Sequence, residues 1–162
     1  MADREDLGFG DEEREAIAAA EWAICVETFY PDLAERLVNG AFATLEDGGA
    51  GAASIRTFEV PGAFELPMAA KLCAESGSFA GVACLGVVIR GETDHYDFVC
   101  AEAARGIQDV QLSSGVPCGF GVLTVDNLDQ ALARTGGGKR DQGEHAALAV
   151  LALSALKRDL GV

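Results

Sequence analysis

The residue best suited to acid–base chemistry is His95, one of only two histidines in the chain. An imidazole gains and loses its proton near neutral pH in ordinary surroundings. His95 follows an apolar, β-branched run from Val82 to Ile89, which stops at Arg90-Gly91 before a polar segment begins. This pattern predicts a strand, a tight turn and the start of a helix. The competing interpretation is a solvated residue in the first turn of that helix.

A second candidate chemistry is phosphate binding by the turn from Gly91 to Thr93. Backbone N–H groups at a helix N-terminus attract anions, and this turn lies directly before the predicted helix. Arg134, late in a later predicted helix, and Lys139 and Arg140 just beyond it could add positive charge. Taken alone, these cations fit equally well a helix C-terminus favoured by the helix dipole.

Other side chains have both a functional and a structural interpretation. Phe29 and Phe120 could stack on a planar ring, although aromatic residues at strand ends more often belong to the core. Glu65 fits the first turn of a helix, where the dipole favours an acid. His145 fits a surface turn. The sequence contains no G-x-G-x-x-G, no P-loop and no metal-ligand spacing, which disfavours nucleotide and metal chemistry.

Composition excludes several classes of partner. The formal net charge is −14 and the 12 lysines and arginines are scattered, so nucleic acid and anionic membranes are disfavoured. Apolar runs reach only strand length, and the first residues do not resemble a signal peptide, which predicts a soluble, cytoplasmic protein. The 5 cysteines show no C-x-x-C spacing and are interpreted as small buried residues in a reducing compartment.

The order of patterns along the chain predicts one α/β domain, residues 21–162, after an acidic arm of residues 1–20 that contains a short helix. Helical periodicity follows each predicted strand, and a last helix runs from about Asp141 to Leu160. Strand–helix alternation with short connections predicts a parallel sheet covered on both faces. The predicted strands are Trp22 to Val26, Ser54 to Val60, Val82 to Ile89 and Cys118 to Thr124.

Ligands of such sheets bind beyond the carboxyl ends of the strands, where the strand order reverses. We therefore expect the loops that follow the strands to meet at one site. These loops are Phe29-Tyr30, Val60 to Glu65, Ile89 to His95 and Val125-Asp126.

Three motifs in this order resemble the lumazine synthase (6,7-dimethyl-8-ribityllumazine synthase) family. They are VPGAFELP at Val60 to Pro67, GVVIRGETDHYDFV at Gly86 to Val99, and FGVLTVDN at Phe120 to Asn127 with QALAR at Gln130 to Arg134. The similarity extends over about residues 21 to 160. It implies a flavodoxin-like three-layer α/β/α fold with a four-stranded parallel sheet in the order 2-1-3-4.

The resemblance also implies a reaction in riboflavin synthesis. The substrates would be 5-amino-6-ribitylamino-uracil and 3,4-dihydroxy-2-butanone 4-phosphate, and phosphate and water would be lost. An amine attacks the ketone to give an imine, phosphate leaves by elimination, and the second amine closes the ring. No cofactor and no metal are expected, so such an enzyme acts by holding two substrates and moving protons.

Roles for individual residues come from the same resemblance. Phe29 would stack on the uracil ring, and backbone groups at the strand edge Val87, Val88 and Ile89 would bind its polar atoms. The turn of Ala63, Phe64 and Glu65 would hold the ribityl chain. The phosphate would be bound by Gly91, Glu92, Thr93 and Arg134. His95 would transfer protons, and Phe120 would come from the neighbouring subunit.

Three residues depart from the family pattern and keep alternative functions open. Tyr30 stands where the family commonly has Asn after the stacking Phe, Gln142 where a Lys is usual, and His145 where an acid is common. The alternatives are an isoform that binds riboflavin or lumazine with little turnover, and an archaeal-type riboflavin synthase on the same fold. The helical character of residues 1–20 favours a homopentamer or a decamer, while the short loop from Gly136 to Gly143 leaves a sixty-subunit shell open.

Overall fold

The computed structural model describes residues 7–162, which form four parallel strands in one sheet with helices on both faces. The sheet order is β2-β1-β3-β4, which confirms the predicted topology. None of the helices in the described range is long and apolar enough to cross a membrane. The strands are β1 (Trp22–Glu27), β2 (Ile55–Val60), β3 (Gly81–Ile89) and β4 (Cys118–Val125), and the helices are α1 (Asp11–Ala19), α2 (Pro31–Gly48), α3 (Leu66–Glu75), α4 (His95–Ser114), α5 (Leu128–Leu132) and α6 (Gln142–Asp159).

Strand β1 lies at the centre of the structure and pairs with both β2 and β3. Every residue of β1 is buried, as expected for a strand of a parallel sheet that is covered on both faces. One hydrophobic core contains Leu37 of α2 and Leu151 of α6, and the other, on the opposite face, contains Leu66 of α3 and Ile107 of α4. Because α2 and α3 cover opposite faces, the chain changes side between β1 and β3.

Helix α1 confirms the short helix predicted near the N-terminus, although the first six residues of the predicted arm lie outside the described residues. Its Ile17 side chain is fully buried in the core that also contains α2 and α6. The indole N–H of Trp22 donates to the Ile17 carbonyl at 3.1 Å, and Arg158 pairs with Glu13. The acidic helix α1 is therefore joined to the amino end of β1 by a hydrogen bond and by a shared hydrophobic core.

The helix predicted to contain Arg134 is shorter than expected, because α5 ends at Leu132. Thr135 instead forms a β-bridge with Asp141, and Gly136 has a positive φ of 90°, a conformation suited to glycine. The Arg36 guanidinium donates to three carbonyls of this segment, including those of Leu132 and Gly136. Arg134 consequently lies in the connection between α5 and α6 and not inside a helix.

We predict that Ile17→Ala lowers the free energy of unfolding by about 2–5 kcal/mol, the usual effect of truncating a fully buried aliphatic side chain. Denaturant unfolding would measure the loss. Glu15→Ala is the matched control, because Glu15 is an exposed residue of the same helix, and we expect it to change stability by about 0.5 kcal/mol or less. Equal effects of the two substitutions would show that α1 does not contribute to the core.

Candidate active site

A cleft of about 570 Å³ opens at the carboxyl ends of β1 and β3. This is the position at which the strand order reverses, as expected for a ligand site in a doubly wound sheet. The residues after β1, after β2 and after β3 all contribute to its walls. The predicted site residues that line it are Phe29, Ala63, Phe64, Glu65, Val87, Val88, Ile89, Gly91, Thr93 and His95.

One wall of the cleft is the ring of Phe29, which is 71% exposed. The Tyr30 ring packs against it edge to face, with 4.9 Å between the ring centroids. Tyr30 is itself half-buried against the core and also lines the cleft. An exposed aromatic face supported in this way can stack on a planar ligand.

Another part of the cleft wall is formed by the end of β3 and by a 3-10 turn over Ala63–Glu65, which leads into α3. Val88 and Ile89 are half-buried, so their backbone lies at the border between core and cleft. Glu65 is exposed and lines the same space. The cleft therefore combines apolar surface with a carboxylate that can accept hydrogen bonds.

The turn after β3 leads into α4, which begins at His95. The Thr93 hydroxyl accepts a hydrogen bond from the His95 backbone N–H at 3.4 Å. Gly91, Thr93 and His95 line the cleft at this helix N-terminus, where N–H groups without intrahelical partners favour an anion. Glu92 is exposed and does not line the cleft.

Arg90, next to this turn, is held by neighbours of its own chain. Its guanidinium lies 3.1 Å from Asp126 and 3.5 Å from Asp97, and 4.2 Å from the centre of the Tyr96 ring. Asp126 thus pairs with Arg90, and the Val125-Asp126 loop lies beside the turn after β3 without lining the cleft of the single chain. Of the residues the structure describes, no lysine or arginine lines the cleft.

Two predicted site residues lie away from the cleft of the single chain. Phe120 is 40% exposed on β4, the edge strand of the sheet. Arg134 is half-buried, and its guanidinium donates to the Gln130 carbonyl at 2.9 Å. The remaining histidine, His145, is exposed on α6, in agreement with its surface interpretation.

Sequence reasoning missed several residues of the cleft, above all Glu27. This carboxylate is 2% exposed, accepts the backbone N–H groups of Val87 and Phe29, and lines the cleft. Burial raises the pKa of Glu27 above its usual value; the two N–H donors oppose this effect, and the nearby Glu65 charge adds to it. An acid as the last residue of an otherwise apolar strand was the signal that could have identified it.

Tyr96 and Phe98 of α4 were also missed as cleft residues. Phe98 lies in the first turn of α4 and is 69% exposed. The buried side chains of α4 are Ala103 and Ile107, one and two turns further along. The apolar side chains at the start of α4 line the cleft instead of the core.

The fold and the cleft define a doubly wound α/β protein with a ligand site at the switch point between β1 and β3. Its chemical groups suit a planar, hydrogen-bonding ligand next to an anion. Residues 19–158 match the model of the family described as 6,7-dimethyl-8-ribityllumazine synthase, and the chain belongs to this family.

Individual relatives agree with the family match. The chain is 41% identical over 140 residues to a protein from Ruthia magnifica subsp. Calyptogena magnifica, which covers 83% of this chain and 84% of the relative. It is 44% identical over 131 residues to a protein from Nitratidesulfovibrio vulgaris strain DP4, with 81% of this chain and 84% of the relative covered. Both relatives are named 6,7-dimethyl-8-ribityllumazine synthase.

The raised pKa of Glu27 predicts a pH-dependent stability that Glu27→Gln removes. Between the usual and the raised pKa, the folded protein binds more protons than the unfolded chain, so the free energy of unfolding falls as pH rises. Denaturant unfolding of wild type and variant between about pH 4 and pH 8 would compare the slopes.

Glu59→Gln is the control for this comparison, because Glu59 is an exposed glutamate on the neighbouring strand β2. We expect its stability to follow the wild-type slope. If Glu27→Gln also kept that slope, Glu27 would not be the source of the pH dependence.

Proposed function

We propose that this chain condenses 5-amino-6-ribitylamino-uracil with 3,4-dihydroxy-2-butanone 4-phosphate to 6,7-dimethyl-8-ribityllumazine, with release of phosphate and water. This reaction belongs to riboflavin biosynthesis. The observation that carries the proposal is the family match over residues 19–158, which contain every residue that lines the switch-point cleft. The reaction neither oxidises nor reduces the substrates overall, so its chemistry requires no redox cofactor.

In the proposed complex the uracil ring stacks on Phe29 and meets the strand edge formed by Val87, Val88 and Ile89. The exposed face of Phe29 and its support by Tyr30 favour this arrangement. The ribityl chain extends along the turn of Ala63, Phe64 and Glu65, where the Glu65 carboxylate can accept hydrogen bonds from hydroxyls.

The phosphate of the second substrate binds at the N-terminus of α4. Backbone groups of Gly91, Glu92 and Thr93 and the dipole of a 20-residue helix would hold it. A cation would strengthen this binding, and none lines the cleft in the described range of a single chain. We assign this role to Arg134, whose fork-shaped guanidinium suits phosphate oxygens.

His95 is the proposed proton carrier between the two substrates. It is the first residue of α4, directly follows the proposed phosphate turn in sequence, and lines the cleft as an exposed residue. Formation of the imine requires protons to leave the attacking amine and to reach the departing water, and the elimination of phosphate requires removal of a C–H proton. The remaining catalytic effect comes from holding the two substrates together.

The position of Phe120 and Arg134 supports a site shared between subunits. Both lie outside the cleft of one chain. The exposed apolar residues Phe64, Met68 and Leu72 are spaced four residues apart, and the first of them lines the cleft. This spacing places them along one side of α3 and the turn before it. We therefore propose a homopentamer, or a decamer of two pentamers, in which each subunit supplies Phe120 and Arg134 to its neighbour.

We also propose a cytoplasmic location. The chain has 5 free cysteines, and Cys25, Cys73, Cys84 and Cys118 are buried. They pack as small apolar groups in the core between the sheet and helices α3 and α4. Free thiols in such number are compatible with a reducing compartment.

Incubation of the protein with both substrates tests the proposed activity, with 6,7-dimethyl-8-ribityllumazine detected by its absorbance and fluorescence. We expect product from the wild-type chain. Riboflavin formation from lumazine alone would instead identify a riboflavin synthase. Tight lumazine binding without turnover would identify a binding isoform.

His95→Ala is expected to lower turnover about a hundredfold, the scale of a lost acid–base group, while the assembly stays intact. His145→Ala is the matched control, since His145 is the other histidine and lies exposed on α6. Steady-state kinetics with both substrates would measure the effect. Unchanged turnover in His95→Ala would remove this residue from the mechanism.

Arg134→Ala is expected to raise the KM for the phosphorylated substrate by about tenfold or more, because a hydrogen bond to a charged group is lost. The KM for the ribitylamino-uracil should change far less. Arg105→Ala removes an arginine from the exposed side of α4 and serves as control. Equal changes in both KM values would contradict a specific role in phosphate binding.

Sedimentation velocity tests the proposed assembly. We expect a particle of 5 or 10 chains, each with a mass of 16.8 kDa. A monomer would contradict the shared site, and a shell-sized particle would contradict the pentamer and the decamer.

A further inference from the structure

Glu27 is a buried acid at the ring side of the cleft that none of the proposed roles uses. It is the last residue of β1 and is 2% exposed. Burial of a carboxylate is unfavourable unless hydrogen bonds compensate for the lost water. The structure supplies two such bonds, both from backbone groups of the ring subsite.

The first hydrogen bond connects β1 to β3 beyond the end of their backbone pairing. Pairing between β1 and β3 ends at Val26 and Leu85, although β3 continues to Ile89. Beyond that point the Val87 N–H has no carbonyl of β1 to donate to, and it donates to Oε1 of Glu27 at 2.6 Å. The side chain thus replaces a backbone acceptor where the two strands separate.

The second bond fixes the loop that carries the stacking ring. The Phe29 backbone N–H donates to Oε2 of the same carboxylate at 3.2 Å. Because the Phe29 side chain is 71% exposed, core packing does little to hold it. One carboxylate therefore joins the backbone of Phe29 to the backbone of the strand edge at Val87.

Gly86 provides the space for this arrangement. A Cβ atom at position 86 would lie 2.5 Å from Cγ and 3.2 Å from Oε1 of Glu27. Contacts below 3.0 Å require something to shift, so the Glu27 side chain lies directly on the backbone of β3. The position of the carboxylate depends on the missing side chain of Gly86.

We propose that Glu27 is a positioning residue for the uracil ring: its carboxylate holds Phe29 at a fixed separation from the Val87 strand edge. This inference rests on the proposed function, because it concerns the ring substrate of that reaction. It also implies that the Val87 N–H is already occupied, so the ring must bind to other backbone groups of the edge. A fixed separation between Phe29 and the strand edge favours binding of a flat ring that contacts both. It should not affect binding of phosphate.

The test compares Glu27→Gln with Thr44→Val in steady-state kinetics, with each substrate varied in turn. The amide introduced by Glu27→Gln keeps the shape of the side chain, but its NH₂ group cannot accept one of the two N–H bonds. We expect the KM for the ribitylamino-uracil to rise about tenfold and the KM for the butanone phosphate to stay within about twofold.

Thr44 is the matched control because it is also a 2% exposed polar residue, and its hydroxyl donates to the Gly40 carbonyl inside α2. Thr44→Val should lower stability without a selective KM change. A selective KM change in Thr44→Val, or an equal rise of both KM values in Glu27→Gln, would overturn the proposal.

Gly86→Ala displaces the Glu27 side chain without removing a polar group. In the wild-type background we expect it to raise the KM for the ribitylamino-uracil, and in a Glu27→Ala background, where the clash is gone, we expect it to add little. Equal effects in both backgrounds would show that Glu27 does not mediate the change.

Binding of 6,7-dimethyl-8-ribityllumazine, followed by fluorescence titration, separates this inference from the proposed activity. If wild type binds lumazine but forms no product, weaker binding by Glu27→Gln than by Thr44→Val still supports the positioning role. Wild-type turnover together with unchanged lumazine binding and unchanged KM in Glu27→Gln would refute the positioning role alone.

Discussion

The pairing of β1 with β2 on one side and with β3 on the other is the interaction on which the rest of the structure depends. Helix α2 leads from the carboxyl end of β1 towards β2 on one face of the sheet, and α4 leads from the carboxyl end of β3 towards β4 on the opposite face. Since the two connections diverge, the carboxyl ends of β1 and β3 have no helix crossing directly over them. The cleft is the space that this divergence leaves.

The two ends of β1 contact different parts of the structure. At its amino end, Trp22 is buried and bound to the carbonyl of Ile17, so α1 and the sheet share one core. At its carboxyl end, Glu27 meets Phe29 and Val87, where polar backbone groups must find partners outside the regular ladder. The amino end of the strand therefore contributes to the core shared with α1, and its carboxyl end contributes to the proposed ring subsite.

The charge of the cleft explains why one chain is chemically incomplete for the proposed reaction. Glu27 and Glu65 place carboxylates in the cleft, and the neighbouring Arg90 is held by Asp97 and Asp126. An anionic substrate therefore requires a cation from outside this wall, which the proposed neighbour supplies through Arg134. The net charge of −14 does not prevent such binding, because exposed charges beyond about 10 Å are largely screened by salt.

The sequence by itself determined the strands, their alternation with helices, the sheet order and the family, because hydrophobic periodicity, glycine and proline signals and the three motifs are local features. It also predicted that His95 and most of the other candidate site residues would lie at one cleft, because parallel strands place the loops that follow them at one edge of the sheet. Only the tertiary structure decided the position of Glu27, whose partner Val87 lies 60 residues away. The same holds for the early end of α5 and the exposure of Phe98. These features depend on hydrogen bonds and packing between distant segments, which no local pattern records.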